Sequence, residues 1–270
     1  MRPPAIERMG YYPTDEPVVE IIRTYLKPPS ERGRLFDPCA GEGKAASSLG
    51  NALNCETWGV ELSPERAGKA QNVMDKVYQA PWQACVLSDE SISWLYLNPP
   101  YDFDRFEGQK RLEWDFLKTT SSKLMRGGLL TYIIPQKILG MIEVARLLAG
   151  HYEAITVYRF PDGLYEKFKQ VVVLAYKRKL YQLPTDKEIL SLQNLASIEL
   201  EPIQSAIEPI YQLLPAPLRG ANGKPVMFKR TDWEPEEVVE ASKEAGVQKT
   251  SDWLDLIHPT RGLAQLSQPV

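Results

Sequence analysis

The chain has 270 residues, 43% hydrophobic and 25% charged, with a formal net charge of -3, which suits one large domain or a domain with a smaller appendage. No apolar run reaches the roughly eighteen residues that span a bilayer, and the N-terminal MRPPAIERMGYYPTDE lacks the apolar core of a signal peptide, so a cytoplasmic location is expected. Cys39, Cys55 and Cys85 show no CxxC spacing and only His151 and His258 add imidazole, so neither a disulfide framework nor a metal site is expected, and the slight acidity argues against a non-specific nucleic-acid coat.

Thr14 stands before Asp15-Glu16-Pro17 and the periodic Val18, Val19, Ile21, Ile22, Tyr25 and Leu26, which predicts a helix capped by Thr14 and stopped at Pro28-Pro29. Arg34-Leu35-Phe36 reads as a first strand, Lys44 to Leu53 as a small-residue helix, and Thr57 to Val60 as a second strand. A helix over Pro64 to Val77 with Ser63 as N-cap follows, then a third strand over Ala84 to Leu87 and a fourth over Trp94 to Leu97. Leu112 to Leu124 is an amphipathic helix and Gly128 to Ile134 a fifth strand. Helix and strand in alternation, with unbroken apolar strands, predict a parallel sheet covered on both faces.

Gln136 to Gly150 reads as another helix, and Ile155 to Arg159 and Gln170 to Lys177 as the last two strands. The connection from Phe160 to Lys169 holds Pro161-Asp162-Gly163 and is too short for a helical crossover, so an antiparallel edge pair is expected. Beyond Lys179, prolines 184, 202, 209, 215, 217 and 225 interrupt short helices and one strand over Pro225 to Lys229. The expected division is therefore a domain of residues 1–180 and a small, mostly helical appendage of residues 181–270. The end, Gln268-Pro269-Val270, lacks periodicity and is compatible with a fragment of a longer protein. Two basic stretches, Lys167 to Lys179 and Lys224 to Arg230, read equally as phosphate contacts or as solvated faces.

The loop Asp37-Pro38-Cys39-Ala40-Gly41-Glu42-Gly43 ends the first strand, where open parallel sheets bind ligands. Gly41 and Gly43 permit close backbone approach, and the next helix points free N–H groups at the site, which suits a pyrophosphate or a methionine carboxylate. The loop is not GxGxxG. Acidic Asp37 and Glu42 repel pyrophosphate but suit the ammonium and sulfonium of S-adenosylmethionine. Glu61 ends the second strand about twenty residues after Gly41, where a carboxylate accepts ribose hydroxyls; the alternative is a surface carboxylate at a strand end.

Asn98-Pro99-Pro100-Tyr101 ends the fourth strand. The exocyclic amine of adenine is a poor nucleophile because its lone pair is delocalised into the ring. Accepting its two protons at the Asn98 side-chain carbonyl and the Pro99 backbone carbonyl favours a tetrahedral nitrogen, and the contact strengthens as positive charge develops there. Pro99 and Pro100 stiffen the backbone, and Tyr101 offers a stacking face. Phe168 is a second stacking face or a core residue. The competing reading is a rigid Pro-Pro turn with Tyr101 in the core.

The order Tyr-Tyr-Pro-Thr, DPCAGEG, GVEL, LNPPYD, GGLLTYIIP and FKQVVVLAYKR resembles the class I S-adenosylmethionine-dependent N6-adenine DNA methyltransferases, and is most similar to a phage and mobile-element methyltransferase-like group. The resemblance covers about residues 11 to 178 and implies a Rossmann-like α/β fold with a seven-stranded, mostly parallel sheet. It implies that Tyr12, Pro13 and Thr14 close over the methionine end of the cofactor. It also implies that Asp37, Cys39, Ala40, Gly41, Glu42, Gly43, Glu61, Leu62, Cys85 and Asn98 line the rest of that site. Cys85, or its neighbour Ala84, stands where the family often carries an Asp near the cofactor's adenine; the alternatives for that departure are compensation by Asp89 or an adenine held by backbone alone. Asn98, Pro99 and Tyr101 would be catalytic, Pro100, Tyr101 and Phe168 would hold a flipped adenine of DNA, and the last region would recognise the target. The same tetrapeptide also serves enzymes acting on a glutamine amide or on RNA. A non-catalytic accessory subunit, with a protein partner or a missing C-terminal segment, is the other alternative.

Overall fold

Seven strands form one sheet: β1 (Gly33–Asp37), β2 (Cys55–Glu61), β3 (Lys76–Gln79), β4 (Ile92–Leu97), β5 (Leu124–Pro135), β6 (Tyr152–Arg159) and β7 (Gln170–Lys177). Their order across the sheet is β3-β2-β1-β4-β5-β7-β6. The first five pair in parallel, while β7 runs antiparallel to both β5 and β6. The computed structural model describes residues 12–101 and 111–231. The chain divides into the units Met1–Lys229 and Arg230–Val270, and the sheet lies in the first. From residue 232 onward, the expected appendage lies outside the described residues, as does Tyr11.

Unbroken apolar strands arise because both faces of the sheet are covered. In β4, Trp94 and Tyr96 enter one core cluster and Leu95 and Leu97 the other; in β7, Val172 and Leu174 alternate in the same way with Val171 and Val173. Each such side chain, fully removed from water, contributes about 1.5–3 kcal/mol. The helices that cover these faces include α1 (Glu16–Thr24), α2 (Lys44–Ala52), α3 (Pro64–Gln71), α4 (Leu112–Thr120) and α5 (Ile142–His151).

Three expected boundaries move. Helix α3 stops at Gln71, and residues 76–79 form strand β3, taking over the end of the expected helix and pairing with β2 from Trp58↔Lys76 to Glu61↔Gln79. Ala67, Ala70, Met74 and Val77 keep helical spacing, but the open edge of β2 offers Val77 and Tyr78 a ladder, and tertiary pairing overrides the pattern. Helix α4 ends at Thr120, a short turn of 3-10 helix follows, and β5 begins already at Leu124. Gln136–Gly140 is likewise a 3-10 turn ahead of α5. Helix α1 has Asp15 at its N-cap position without a side-chain cap, so Thr14 is not the cap.

The connection before β7 holds only the four-residue α6 (Tyr165–Phe168), and Lys169 at φ 53° turns the chain into the last strand. Helix α7 (Asp186–Asn194) opens with a reciprocal capping box between Thr185 and Glu188. Tyr211–Gln212 adds a parallel rung to Leu26–Lys27. Phe228 sits among Phe36, Trp58 and Tyr78, and its carbonyl accepts from Lys76 Nζ and Tyr78 Oη. Residues 181–229 are thus used by both flanks of the sheet.

Candidate functional site

Strand order reverses between β1 and β4, the place where an open sheet leaves a crevice at its carboxyl ends. Register pairs Leu35 with Trp94 and Phe36 with Leu95, so the loop after Asp37 and the Asn98-Pro99-Pro100-Tyr101 segment emerge side by side. Cys39 Sγ donates to the Asn98 backbone carbonyl at 3.2 Å, tying the two loops together.

Glu61 organises the loop from the neighbouring strand. Its Oε2 accepts from Gly41 N at 2.9 Å, and its Oε1 accepts from Ser63 N at 2.8 Å and from Arg66 Nε and Nη2 at 3.0 and 2.6 Å. Gly41 (φ 57°) turns its N–H onto that carboxylate. Gly43 (φ 77°) lies against α3, because a Cβ there would meet Met74 Sδ at 2.9 Å and Ala70 Cβ at 3.1 Å. Helix packing therefore requires a glycine at position 43.

Two cavities share Tyr12, Cys39, Arg66 and Asn98 in their walls. The larger, about 620 Å³, takes in Pro13, Thr14, Asp37, Ala40 and Glu42. The smaller, about 230 Å³, takes in Glu61, Leu62 and Pro100, and beyond them Ala80, Pro81, Trp82 and Gln83. Cys85 lines neither cavity. Since the third strand ends at Gln79, its carboxyl-end loop is Ala80 to Gln83, and Cys85 already belongs to the next segment. Reading Lys76–Gln79 as a strand would have found those residues. Arg66 carried a weaker signal, a cation five positions after Glu61.

Burial, helped by the negative charge of Glu61, pushes the Asp37 carboxyl up to about 7, even though its Oδ1 accepts from Cys39 N at 3.0 Å. Burial also pushes the Cys39 thiol well up, which keeps it a donor. Glu42 is different: hydrogen bonds from Lys44 and then Lys69 hold it at about 2, so its charge is already paired.

Asn98 is held from behind. Its Nδ2 donates to the Tyr12 carbonyl at 2.9 Å and to Thr14 Oγ1 at 3.1 Å, so the hydroxyl expected to cap α1 instead faces the site. Thr14 Oγ1 also shares a 2.5 Å hydrogen bond with Tyr96 Oη. Asn98 Oδ1 accepts from Tyr101 Oη at 2.7 Å, and Tyr101 Oη accepts from Gln170 Nε2 at 2.6 Å. Pro99 is buried between Asn98 and Pro100. The Tyr12 ring stacks on Tyr101 (centroids 5.4 Å apart, planes 14°) and meets the exposed Phe168 ring at 4.3 Å. Tyr96 and Gln170 are site residues that sequence reasoning passed over as ordinary strand positions.

The residues present fit S-adenosylmethionine. A buried carboxylate at Asp37 matches an ammonium, and Glu61 Oε2 accepts one hydrogen bond among the described residues and keeps capacity for a ribose hydroxyl. Among the described residues no helix is long and apolar enough to cross a membrane, and no group of three His, Cys, Asp or Glu side chains is placed to hold a metal ion.

A seven-stranded sheet with an antiparallel β7 between β5 and β6, and a crevice at the β1/β4 reversal, define a Rossmann-like α/β methyltransferase. The chain belongs to the Uncharacterised methyltransferase family (DUF6094), whose model matches residues 5–213. Its methyl donor is S-adenosylmethionine. Similar solved structures include a methyltransferase from Pyrococcus furiosus (16% identity, 62% of this chain and 87% of that one, TM-score 0.45). A predicted O-methyltransferase from Agrobacterium tumefaciens is another (19%, 66% and 97%, TM-score 0.43). A third is an RNA methyltransferase from Salinibacter ruber in complex with S-adenosyl-L-homocysteine (15%, 65% and 98%, TM-score 0.39). No curated protein matches the chain.

Proposed function

We propose that this enzyme transfers a methyl group from S-adenosylmethionine to the exocyclic N6 amine of adenine in DNA. The observation that carries the reading is the fixed Asn98 carboxamide: Tyr12 and Thr14 take its N–H groups, so its carbonyl is the end that serves an acceptor. S-adenosylmethionine, when bound, supplies an electrophilic methyl group on a sulfonium. Asp37 holds an ammonium, Glu61 a ribose hydroxyl, and residues Ala80 to Gln83 wall the adenosine end. Asn98 Oδ1 and the Pro99 carbonyl accept the two protons of the acceptor amine, a contact that strengthens as charge develops on nitrogen.

The aromatic surroundings support a planar acceptor over a glutamine amide. Tyr12 places a ring against both Tyr101 and Phe168, so a flat ring in that position has two aromatic neighbours. Exposed Lys167 and Lys169 flank Phe168 and suit a phosphate backbone. Lys177 and Arg178 of the same basic stretch do not, since Lys177 Nζ donates inward to the Ser121 and Leu124 carbonyls and Arg178 pairs with Glu153. In this reading residues 1–180 carry the chemistry and residues 181–270 grip the target.

The test is transfer of labelled methyl from S-adenosylmethionine to duplex DNA, single-stranded DNA, RNA and a cell protein extract, with Asn98→Ala alongside. Label recovered as N6-methyladenine with the unaltered chain, and a hundredfold to thousandfold slower with Asn98→Ala at retained cofactor affinity, is expected. Label in RNA or protein instead would overturn the DNA reading.

A further inference from the structure

One atom in the site cannot change its role. The Tyr12 carbonyl only accepts, so the Asn98 atom 2.9 Å from it is the amide nitrogen and Oδ1 is turned to Tyr101. Oδ1 also only accepts, so the Tyr101 hydroxyl at 2.7 Å donates to it. That uses the single phenolic proton, so the Gln170 atom 2.6 Å from the phenol oxygen must be the donor Nε2. Gln170 is 4% exposed, opposite Pro135 at the start of β7, so its amide is locked into this chain of bonds. Burial pushes the Tyr101 phenol well above its ordinary range, which keeps it protonated.

We propose that Gln170 is a positioning residue for methyl transfer: its amide donates to Tyr101, directs the phenolic proton onto Asn98 Oδ1, and leaves that carbonyl one lone pair and one orientation for the acceptor N–H. The inference rests on the reading of Asn98 Oδ1 as the acceptor's partner. A donor at position 170 is what the arrangement requires. A group that only accepts would draw the phenolic proton to itself and set the Tyr101 oxygen lone pairs against Asn98 Oδ1. An apolar group would leave Tyr101 free to rotate between the two states.

Gln170→Glu and Gln170→Leu in the full chain test this, with methyl transfer measured at saturating cofactor across acid and alkaline pH. In the Gln170→Glu variant, the introduced carboxyl donates when protonated and only accepts when ionised. Activity of that variant is therefore present below the carboxyl pKa and lost above it, and burial raises that pKa from about 4.3. The expected result is a Gln170→Glu turnover falling about tenfold or more from the acid to the alkaline limb, relative to the unaltered chain. Gln170→Leu is reduced about threefold to tenfold without that limb. Tyr96, Glu113 and Cys39 also act on Tyr101, and Glu113 pairs with Arg111; they are common to all variants, so the limb is read as a ratio. A second measurement needs only the apolar variant: with Tyr101→Phe in place, Gln170→Leu is expected to cost nothing further in turnover. A Gln170→Glu variant that follows the unaltered pH profile, or additive effects in the double variant, would overturn the proposal. Absence of methyl transfer by the unaltered chain to any acceptor is a different result and sinks the reading of Asn98 itself.

Discussion

Glu61 and Arg66 form an ion pair in the wall of the smaller cavity, with Nε and Nη2 of Arg66 both donating to the same carboxylate oxygen. Among the described residues, Glu61 Oε2 is left with the Gly41 N–H bond. In the proposed reading, the ribose acceptor and the ion-pair acceptor are thus different atoms of one carboxylate. Glu61→Ala is expected to weaken S-adenosylmethionine binding about tenfold to a hundredfold, the worth of a charge-assisted hydrogen bond. Arg66→Ala is expected to cost less. Titration calorimetry on both variants decides, and equal losses would assign the effect to the ion pair alone.

If Asp37 holds the cofactor's ammonium as proposed, cofactor binding depends on pH. Its carboxyl titrates near 3.9 in an unfolded chain and at about 7 in the fold, so the native state holds the proton more tightly. Its contribution to stability is therefore full at pH below about 3.9 and is lost as pH rises through about 7. Cofactor affinity runs the opposite way, because only the ionised carboxylate attracts an ammonium. Affinity is expected to rise by up to about tenfold per unit as pH approaches 7 and then to level. Asp37→Asn should flatten that dependence in calorimetric titrations.

Thr14 contributes an acceptor for one of the two Asn98 amide protons, and its hydroxyl is tied to Tyr96. Thr14→Val removes both bonds while Tyr12 still holds Asn98 from the backbone. Turnover is expected to fall about fivefold to tenfold, in line with about 1 kcal/mol for one hydrogen bond. Calorimetric binding of S-adenosylmethionine separates this from a loss of cofactor.

The Tyr12 ring lies against both Tyr101 and Phe168. In the proposed reading, a base stacking on Tyr101 and Phe168 displaces it. Tyr12→Ala is expected to lower KM for the acceptor strand about threefold to tenfold at saturating cofactor, given about 0.5–1.5 kcal/mol for an aromatic pair. Phe168→Ala should raise KM by at least as much, since base stacking is worth about 1–3 kcal/mol. Steady-state kinetics with both variants checks the two directions together.

Gly43 is the loop glycine that packing requires. At φ 77°, and with Met74 Sδ 2.9 Å from where a Cβ would stand, Gly43→Ala meets both backbone strain and contact. A loss of about 1–3 kcal/mol is expected, read as a lower Tm in thermal unfolding.

Several parts of this architecture follow from neighbours along the chain. Apolar runs such as Trp94 to Leu97 identify strands buried on both faces, and the short Pro161-Asp162-Gly163 connection forces the last strand to return antiparallel. Asn98-Pro99-Pro100-Tyr101 and the Asp37 loop lie at strand ends for the same local reason. What tertiary structure alone decided are the contacts across the sheet. Thr14 and Asn98 are 84 positions apart and Tyr101 and Gln170 are 69, and neither partner carries a local sign of the other. The open edge of β2 decided that residues 76–79 pair as a strand, which placed Ala80–Gln83, and not Cys85, in the wall of the smaller cavity. Local periodicity reports which face of an element is buried, whereas hydrogen-bond partners depend on which strands become neighbours and in what register.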